Sequence, residues 1–182
     1  MDRILLEKIR EGDREAFAEL YNKYAEYALR VAMAVTRDKM SAADVVQETF
    51  IKIYKNIDGF DLDKPFKPWF YRILINECNR LLGKNQNAVL VEDFTEAGMQ
   101  DYIREEDDYS FEEYEDLYKA IKSLEDGNRI AITLKYLKGF KEAEIAEILG
   151  ININTVKSRL FKGRQKLRNI IEKFEGGSKV NG

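Results

Sequence analysis

Two prolines, Pro65 and Pro68, are all that punctuate the 182-residue chain. A proline ring removes a backbone donor and clashes with the carbonyl one helical turn back, so a chain with so few is free to be helical almost throughout. The apolar residues use that freedom at spacings of three and four. Asp13 can cap a helix running to about Thr36, with Phe17, Leu20, Tyr21, Tyr24, Ala28 and Val31 on one face. Ser41 begins a second helix, whose inward stripe is Val46, Phe50, Ile53 and Ile57. The stretch Asp58 to Pro65 reads as a loop by its Asp, Gly and Pro content. A third helix follows from about Lys67 to Leu82. Helical spacing returns near 111–125, 127–138, 141–149 and 153–173, ahead of a polar Gly-Gly-Ser tail. No strand alternation and no internal repeat compete with this pattern. The expected fold class is all-α.

Charge divides the chain. Residues 1–82 carry 14 basic and 14 acidic side chains, residues 83–116 carry 2 against 12, and residues 117–182 carry 14 against 7. The formal net charge of −3 conceals this. Such segregation marks a basic, nucleic-acid-binding end behind an acidic connector. The boundaries expected are a first helical domain over 1–82, an acidic flexible linker over 83–112, a second helical domain over 113–175 and a flexible tail over 176–182.

Absences narrow the chemistry. The chain has no histidine, which removes the commonest general base and metal ligand. The lone cysteine, Cys78, excludes an internal disulfide and a cysteine-rich zinc site. Its spacing with Phe70, Leu74 and Leu81 favours core packing over nucleophilic chemistry. No catalytic residue, metal or cofactor is expected, and the chain does not read as an enzyme. No apolar run approaches the roughly 20 residues that span a bilayer. The amino terminus also lacks the apolar centre of a signal peptide. A cytoplasmic protein without membrane insertion is expected.

The spacing that says most lies between Glu142 and Leu160. Ala146 is small where two helices must approach, and Gly150 follows where the first must stop and the backbone turn sharply. Val156, with Ile145, Leu149, Ile151 and Leu160, completes a small core, and Asn152 is placed to cap the second helix. This is the pattern of a helix-turn-helix, whose second helix enters the major groove. That second helix carries Lys157, Arg159, Lys162, Arg164, Lys166 and Arg168, with no acidic residue between Asn154 and Ile171. Arg and Lys can pair with guanine edges or phosphates, and Thr155 and Ser158 with either. A solvated basic face would explain the charge, but neither the turn nor the small-residue spacing.

In the first domain, Asp44, Gln47, Glu48 and Ile51 fall at i, i+3, i+4 and i+7, opposite Val46, Phe50 and Ile53. Such a stripe suits a protein partner that offers Arg or Lys. Spacing alone leaves a second reading open, in which Ser41 and Asp44 form a capping box and Glu48 is solvated. Farther on, Arg72, Asn76 and Arg80 lie at i, i+4 and i+8, able to reach phosphates or base edges.

These segments resemble one family, the extracytoplasmic-function sigma factors. Ala-Glu-Ile-Leu-Gly-Ile, then Asn-Thr-Val-Lys-Ser-Arg-Leu and Gly163-Arg-Gln-Lys-Leu-Arg168, resemble that family's region 4. Asp44-x-x-Gln47-Glu48-x-Phe50 resembles region 2.2, and Phe17-Ala-Glu-Leu-Tyr-x-x-Tyr resembles region 2.1. The stretch from Phe60 to Arg80, with Phe66, Trp69, Arg72, Ile73 and Asn76, resembles the segment that melts promoters. The resemblance implies a sigma factor that binds core RNA polymerase and directs initiation at promoter DNA. It implies core polymerase binding by Asp44, Gln47 and Glu48, and minus-ten DNA contacts by Phe60, Lys64, Phe66, Arg72, Asn76 and Arg80. Trp69 is left open between stacking on DNA and pinning the loop. Minus-thirty-five DNA falls to Thr155, Lys157, Ser158, Arg159, Phe161 and Lys162 near the bases, with Arg164 and Lys166 on phosphates. An anti-sigma factor is a further implied partner.

The chain departs from the family in two places. Only Arg80 and Lys84 stand where the third helix usually ends in clustered arginines, and Asn152-Ile-Asn154 replaces Pro-x-Gly before Thr155. The rivals are a stand-alone helix-turn-helix activator or repressor, and a helical adaptor whose basic end is incidental. The acidic linker is read either as a chain threading polymerase in place of RNA or as a solvated spacer.

Overall fold

The structure, a computed structural model, describes residues 2–85 and 120–178. The helices are α1 (Asp2–Arg10), α2 (Arg14–Thr36), α3 (Lys39–Asn56), α4 (Phe66–Asn85), α5 (Asp126–Ile132), α6 (Glu142–Leu149) and α7 (Ile153–Ser178). A 3₁₀ turn, Ile57–Gly59, follows α3, and a π turn, Thr133–Leu137, continues α5. Residues 120–122 are also helical, and no strand occurs among the described residues. The expected acidic linker lies outside the described residues for most of its length. At its start α4 runs on to Asn85, and at the far end α7 extends through the expected Gly-Gly-Ser tail to Ser178.

Local chemistry sets these limits. The Asp13 carboxylate accepts from the Glu15 and Ala16 N–H groups at 2.9 and 3.1 Å, closing the start of α2. That helix stops at Arg37, whose φ of 65° turns the chain left-handed while its N–H reaches back to the Met33 carbonyl. The chain restarts at once. Asp38, not Ser41, caps α3, accepting from the Ser41 N–H at 2.7 Å. Ser41 therefore sits inside the first turn, and the capping box with Asp44 does not form. Helix α1 was hidden in the sequence by its alternating charges; Leu5, Leu6 and Ile9 are nonetheless buried on one side.

The first domain packs α2, α3 and α4 around an aromatic core. Phe70 meets Tyr24, Phe50 and Phe66 at ring-centroid distances of 5.0, 5.6 and 5.8 Å. Cys78 is fully buried, and burial pushes its thiol up to about 12, as befits a packing residue. The second domain packs α5 and α7 at close range. A β-carbon at Gly163 would lie 2.7 Å from Ile132 Cγ1, so only glycine lets the two helices come this near. In the π turn the Thr133 hydroxyl is buried with no hydrogen-bond partner among the described residues.

The domains also pack on each other, which the sequence did not foretell. Arg129 of α5 is fully buried and donates to the Val35 carbonyl at the end of α2 (2.8 and 3.2 Å), to the Leu124 carbonyl and to Asp126. It thereby satisfies a carbonyl orphaned where α2 ends. Arg37 returns the contact, donating to the Leu124 carbonyl at 2.9 Å. Tyr71 of α4 and Phe140 meet edge to face at 5.2 Å.

Candidate nucleic-acid interface

The turn between α6 and α7 forms as its sequence requires. Gly150 adopts φ 62°, ψ 34°, the left-handed cap that ends α6. The Asn152 side chain accepts from the Asn154 N–H at 2.8 Å, and its carbonyl accepts from Thr155 and Val156, so Asn152 caps α7 without a proline. Ile145, Val156 and Leu160 are fully buried between the two helices.

This packing orients the cations of α7. Val156, Leu160 and Gly163 point inward, leaving Thr155, Lys157, Ser158, Phe161 and Lys162 on the outer face. Phe161 is 57% exposed, a large apolar ring on a basic surface. Arg159 sits differently from its sequence neighbours. It is half-buried, and its guanidinium passes 3.1 Å from the position a Gly127 β-carbon would take. It lies along the seam with α5 and off the outermost stripe. Arg164 is exposed and donates to the Tyr136 hydroxyl at 3.4 Å; Lys166, also exposed, donates to the Ser123 carbonyl at 2.8 Å.

On α3, Asp44 and Gln47 are exposed, Glu48 is half-buried, and Ile51 is 37% exposed beside them. None of the three polar side chains has a hydrogen bond or ion pair among the described residues. Tyr21 and Tyr54, exposed at 44% and 50%, extend the stripe with apolar surface. The result is a mixed acidic and aromatic face, its tyrosines resting on Phe50 and Phe17 and its carboxylates without a partner among the described residues.

The loop before α4 turns its two phenylalanines inward. Phe60 and Phe66 are buried, at 6% and 4% exposure, and their rings pack at 6.0 Å. Arg10 draws this loop inward by donating to the Ile57 and Phe60 carbonyls, so these rings serve the core first. Trp69, half-buried, lies over Phe60 at 4.6 Å and pins the loop. Lys64 remains exposed. Between the end of α3 and α4 opens a cleft of about 320 Å³ lined by Lys52, Asn56, Gly59, Phe60, Trp69 and Ile73. Lys52 and Asn56 were missed by the sequence reading, which looked for cations on α4 and the loop before it.

Arg72, Asn76 and Arg80 share a side of α4 but not a common environment. Arg72 donates to the Glu147 carbonyl at 2.8 Å and pairs with its carboxylate at 3.5 Å, so it is engaged by α6 of the other domain. Asn76 is exposed. Arg80 pairs at 2.7 Å with Glu77. No group of three or more potential metal ligands occurs among the described residues, and none of their helices is long and apolar enough to cross a membrane.

Known proteins resemble this chain along most of its length. Residues 20–88 match the family model for Sigma-70 region 2, and residues 114–167 match that for Sigma-70 region 4. The chain is 33% identical over 183 residues to the ECF RNA polymerase sigma-E factor of Escherichia coli strain K12, covering 94% of each. It is 32% identical to the Haemophilus influenzae sigma-E factor, covering 94% of this chain and 95% of that one. Among solved structures, CnrH in complex with the cytosolic domain of CnrY superposes with a TM-score of 0.71 at 26% identity, over 94% of this chain and 97% of that one. The sigma factor RpoE of Bartonella quintana, in complex with the anti-sigma factor NepR, gives 0.71 at 25% identity over 91% and 98%.

Proposed function

Because this chain belongs to the extracytoplasmic-function sigma factors of the sigma-70 family, which direct RNA polymerase to promoters, we propose that its faces divide the work as follows. The Asp44, Gln47 and Glu48 stripe grips core polymerase. The α3–α4 cleft with Lys64, Arg72, Asn76 and Arg80 meets the opened minus-ten region. The outer face of α7, from Thr155 to Lys162, reads the minus-thirty-five element, with Arg164 and Lys166 on phosphates. Arg159, on the seam, contacts the border of that surface. The chain supplies binding and strand separation while the polymerase performs the chemistry, and the setting is the cytoplasm. An anti-sigma factor controls it, a reading supported by the partners of CnrH and of the Bartonella RpoE.

One observation carries this over a stand-alone activator or repressor. A helix-turn-helix alone fits many regulators, but the unpaired carboxylates of α3 stand on the other domain, where DNA phosphates would repel them. They call for a cationic protein surface. The test is the double substitution Asp44→Lys, Glu48→Lys, assayed by pull-down with core polymerase and by run-off transcription. Like charges brought together at an interface cost several kcal/mol, so core binding should fall at least tenfold while helicity is unchanged. Normal core binding by the variant would return the stripe to a solvated helix face.

A further inference from the structure

Glu77 is the one carboxylate among the described residues that is buried, at 2% exposure. Burial raises its proton affinity, yet hydrogen bonds from Lys52 and Arg80 outweigh that and hold the carboxyl below its usual range. It is therefore an anion inside the protein. Each oxygen serves one cation: Oε1 takes the Lys52 ammonium, and Oε2 takes the Arg80 Nε at 2.7 Å. Both cations remain close to half exposed, at 42% and 45% of their side chains.

Their placement follows from two helical rows. On α3, Lys52 and Asn56 are one turn apart, and both line the cleft. On α4, Trp69, Ile73, Glu77 and Arg80 succeed one another along one side, and the first two line the same cleft. Glu77 thus stands where the cleft ends, and the cations it holds extend the cleft's line. We propose that Glu77 is a positioning residue which fixes Lys52 and Arg80 side by side as a preformed cradle for a phosphodiester of single-stranded DNA leaving the cleft. This rests on the reading that the cleft meets the opened minus-ten strand. Single-strand sites combine an aromatic platform with cations that track the backbone. Here Trp69 is the platform, and Glu77 removes the conformational freedom that two long cationic side chains would otherwise lose on binding.

The experiment uses the full chain with core polymerase and two probes made from one promoter that the wild type transcribes. One probe is fully duplex, and the other is mismatched over the minus-ten region so that it is already open. Replacing a carboxylate by an amide adds net positive charge and raises affinity for any DNA, so the quantity read is the open-to-duplex affinity ratio. Glu77→Gln should lower that ratio about tenfold, and Lys52→Ala, at a side chain only 42% exposed, should lower it several-fold with helicity retained. In a Lys52→Ala, Arg80→Ala background, Glu77→Gln should have no further effect. A ratio unchanged in Lys52→Ala, or a further loss from Glu77→Gln in that background, would overturn the cradle even if the variants melt earlier. A wild type that shows no preference for the open probe would instead remove the minus-ten reading of this cleft, and the cradle with it.

Discussion

Lys138 shows what a single residue at the seam between two domains must reconcile. Its ammonium stands 3.6 Å from the centre of the Tyr27 ring and 5.7 Å from that of Tyr71. Burial lowers its proton affinity to about 8, helped by the nearby Arg30 and Lys67 cations and opposed by Glu26. The Tyr27 ring, whose face attracts cations, works against the burial. Unfolded, the same amine titrates near 10.5. Between about pH 8 and 10.5 the unfolded chain therefore holds more protons, and stability rises with pH across that window. Below pH 8 both states are charged, and the cost of burying the charge is paid in full. Lys138→Met keeps the stem on Tyr27 and removes the charge. It should leave stability at pH 7 unchanged or higher by about 1 kcal/mol, and thermal melts should lose this residue's contribution to the rise from pH 8 to 10.5. A variant with the wild-type pH profile would show that the ring, rather than burial, governs this amine.

At the scale of the element, α7 is held by contacts its sequence announces and by one it does not. Asn152 and Gly150 are legible as caps because a left-handed turn and a free helix end each admit few residue types. Gly163 is legible only as part of a family motif, since its reason is a neighbour far away in sequence. An added β-carbon would strike Ile132, which is 2% exposed and cannot retreat. Gly163→Ala should gain about 1 kcal/mol in helix propensity and lose about 1–3 kcal/mol to overpacking, for a net fall in denaturation midpoint. Adding Ile132→Ala should recover part of the loss, so the double variant is less destabilised than the sum of its parts; strict additivity would rule out the clash. The same distinction explains the rest of the comparison between sequence and fold. Periodicity marked the buried stripe of α3 correctly, because Val46, Phe50 and Ile53 answer to their own helix. It is silent on the burial of Phe60 and Phe66, because which way a loop turns depends on Arg10, about fifty residues earlier. Two capping residues three apart, Asp38 and Ser41, could not be ranked until α2 was seen to end at Arg37.

For the whole molecule, the least legible fact is the packing of one domain on the other, since Arg129 reads in sequence as one more cation of a basic segment. Its guanidinium is 0% exposed with a partner at every nitrogen, so Arg129→Met would strand the Val35 carbonyl and leave the Leu124 carbonyl and the half-exposed Asp126 carboxylate to Arg37 alone. Leaving a buried acceptor without its donor costs about 1–3 kcal/mol. Calorimetry should then resolve two transitions, one per domain, where the wild type gives one; a single transition at the original temperature would show that the contact is not coupling the domains. The packed form cannot span a promoter. The two elements lie about 25 base pairs, or roughly 85 Å, apart at 3.4 Å per pair, whereas domains of this size are only about 30 Å across. The 34 residues between the described segments reach about 110 Å when extended, enough for the domains to part. Ionic strength bears unequally on the two forms. Mobile ions screen exposed charges beyond about 8–10 Å under physiological conditions, and each neutralised phosphate makes DNA binding weaker as they accumulate. They find no exposed atom on Arg129 to approach. A rise in salt therefore loosens the factor on promoter DNA while leaving the buried bonds of Arg129 untouched, so ionic strength sets how readily this factor lets go.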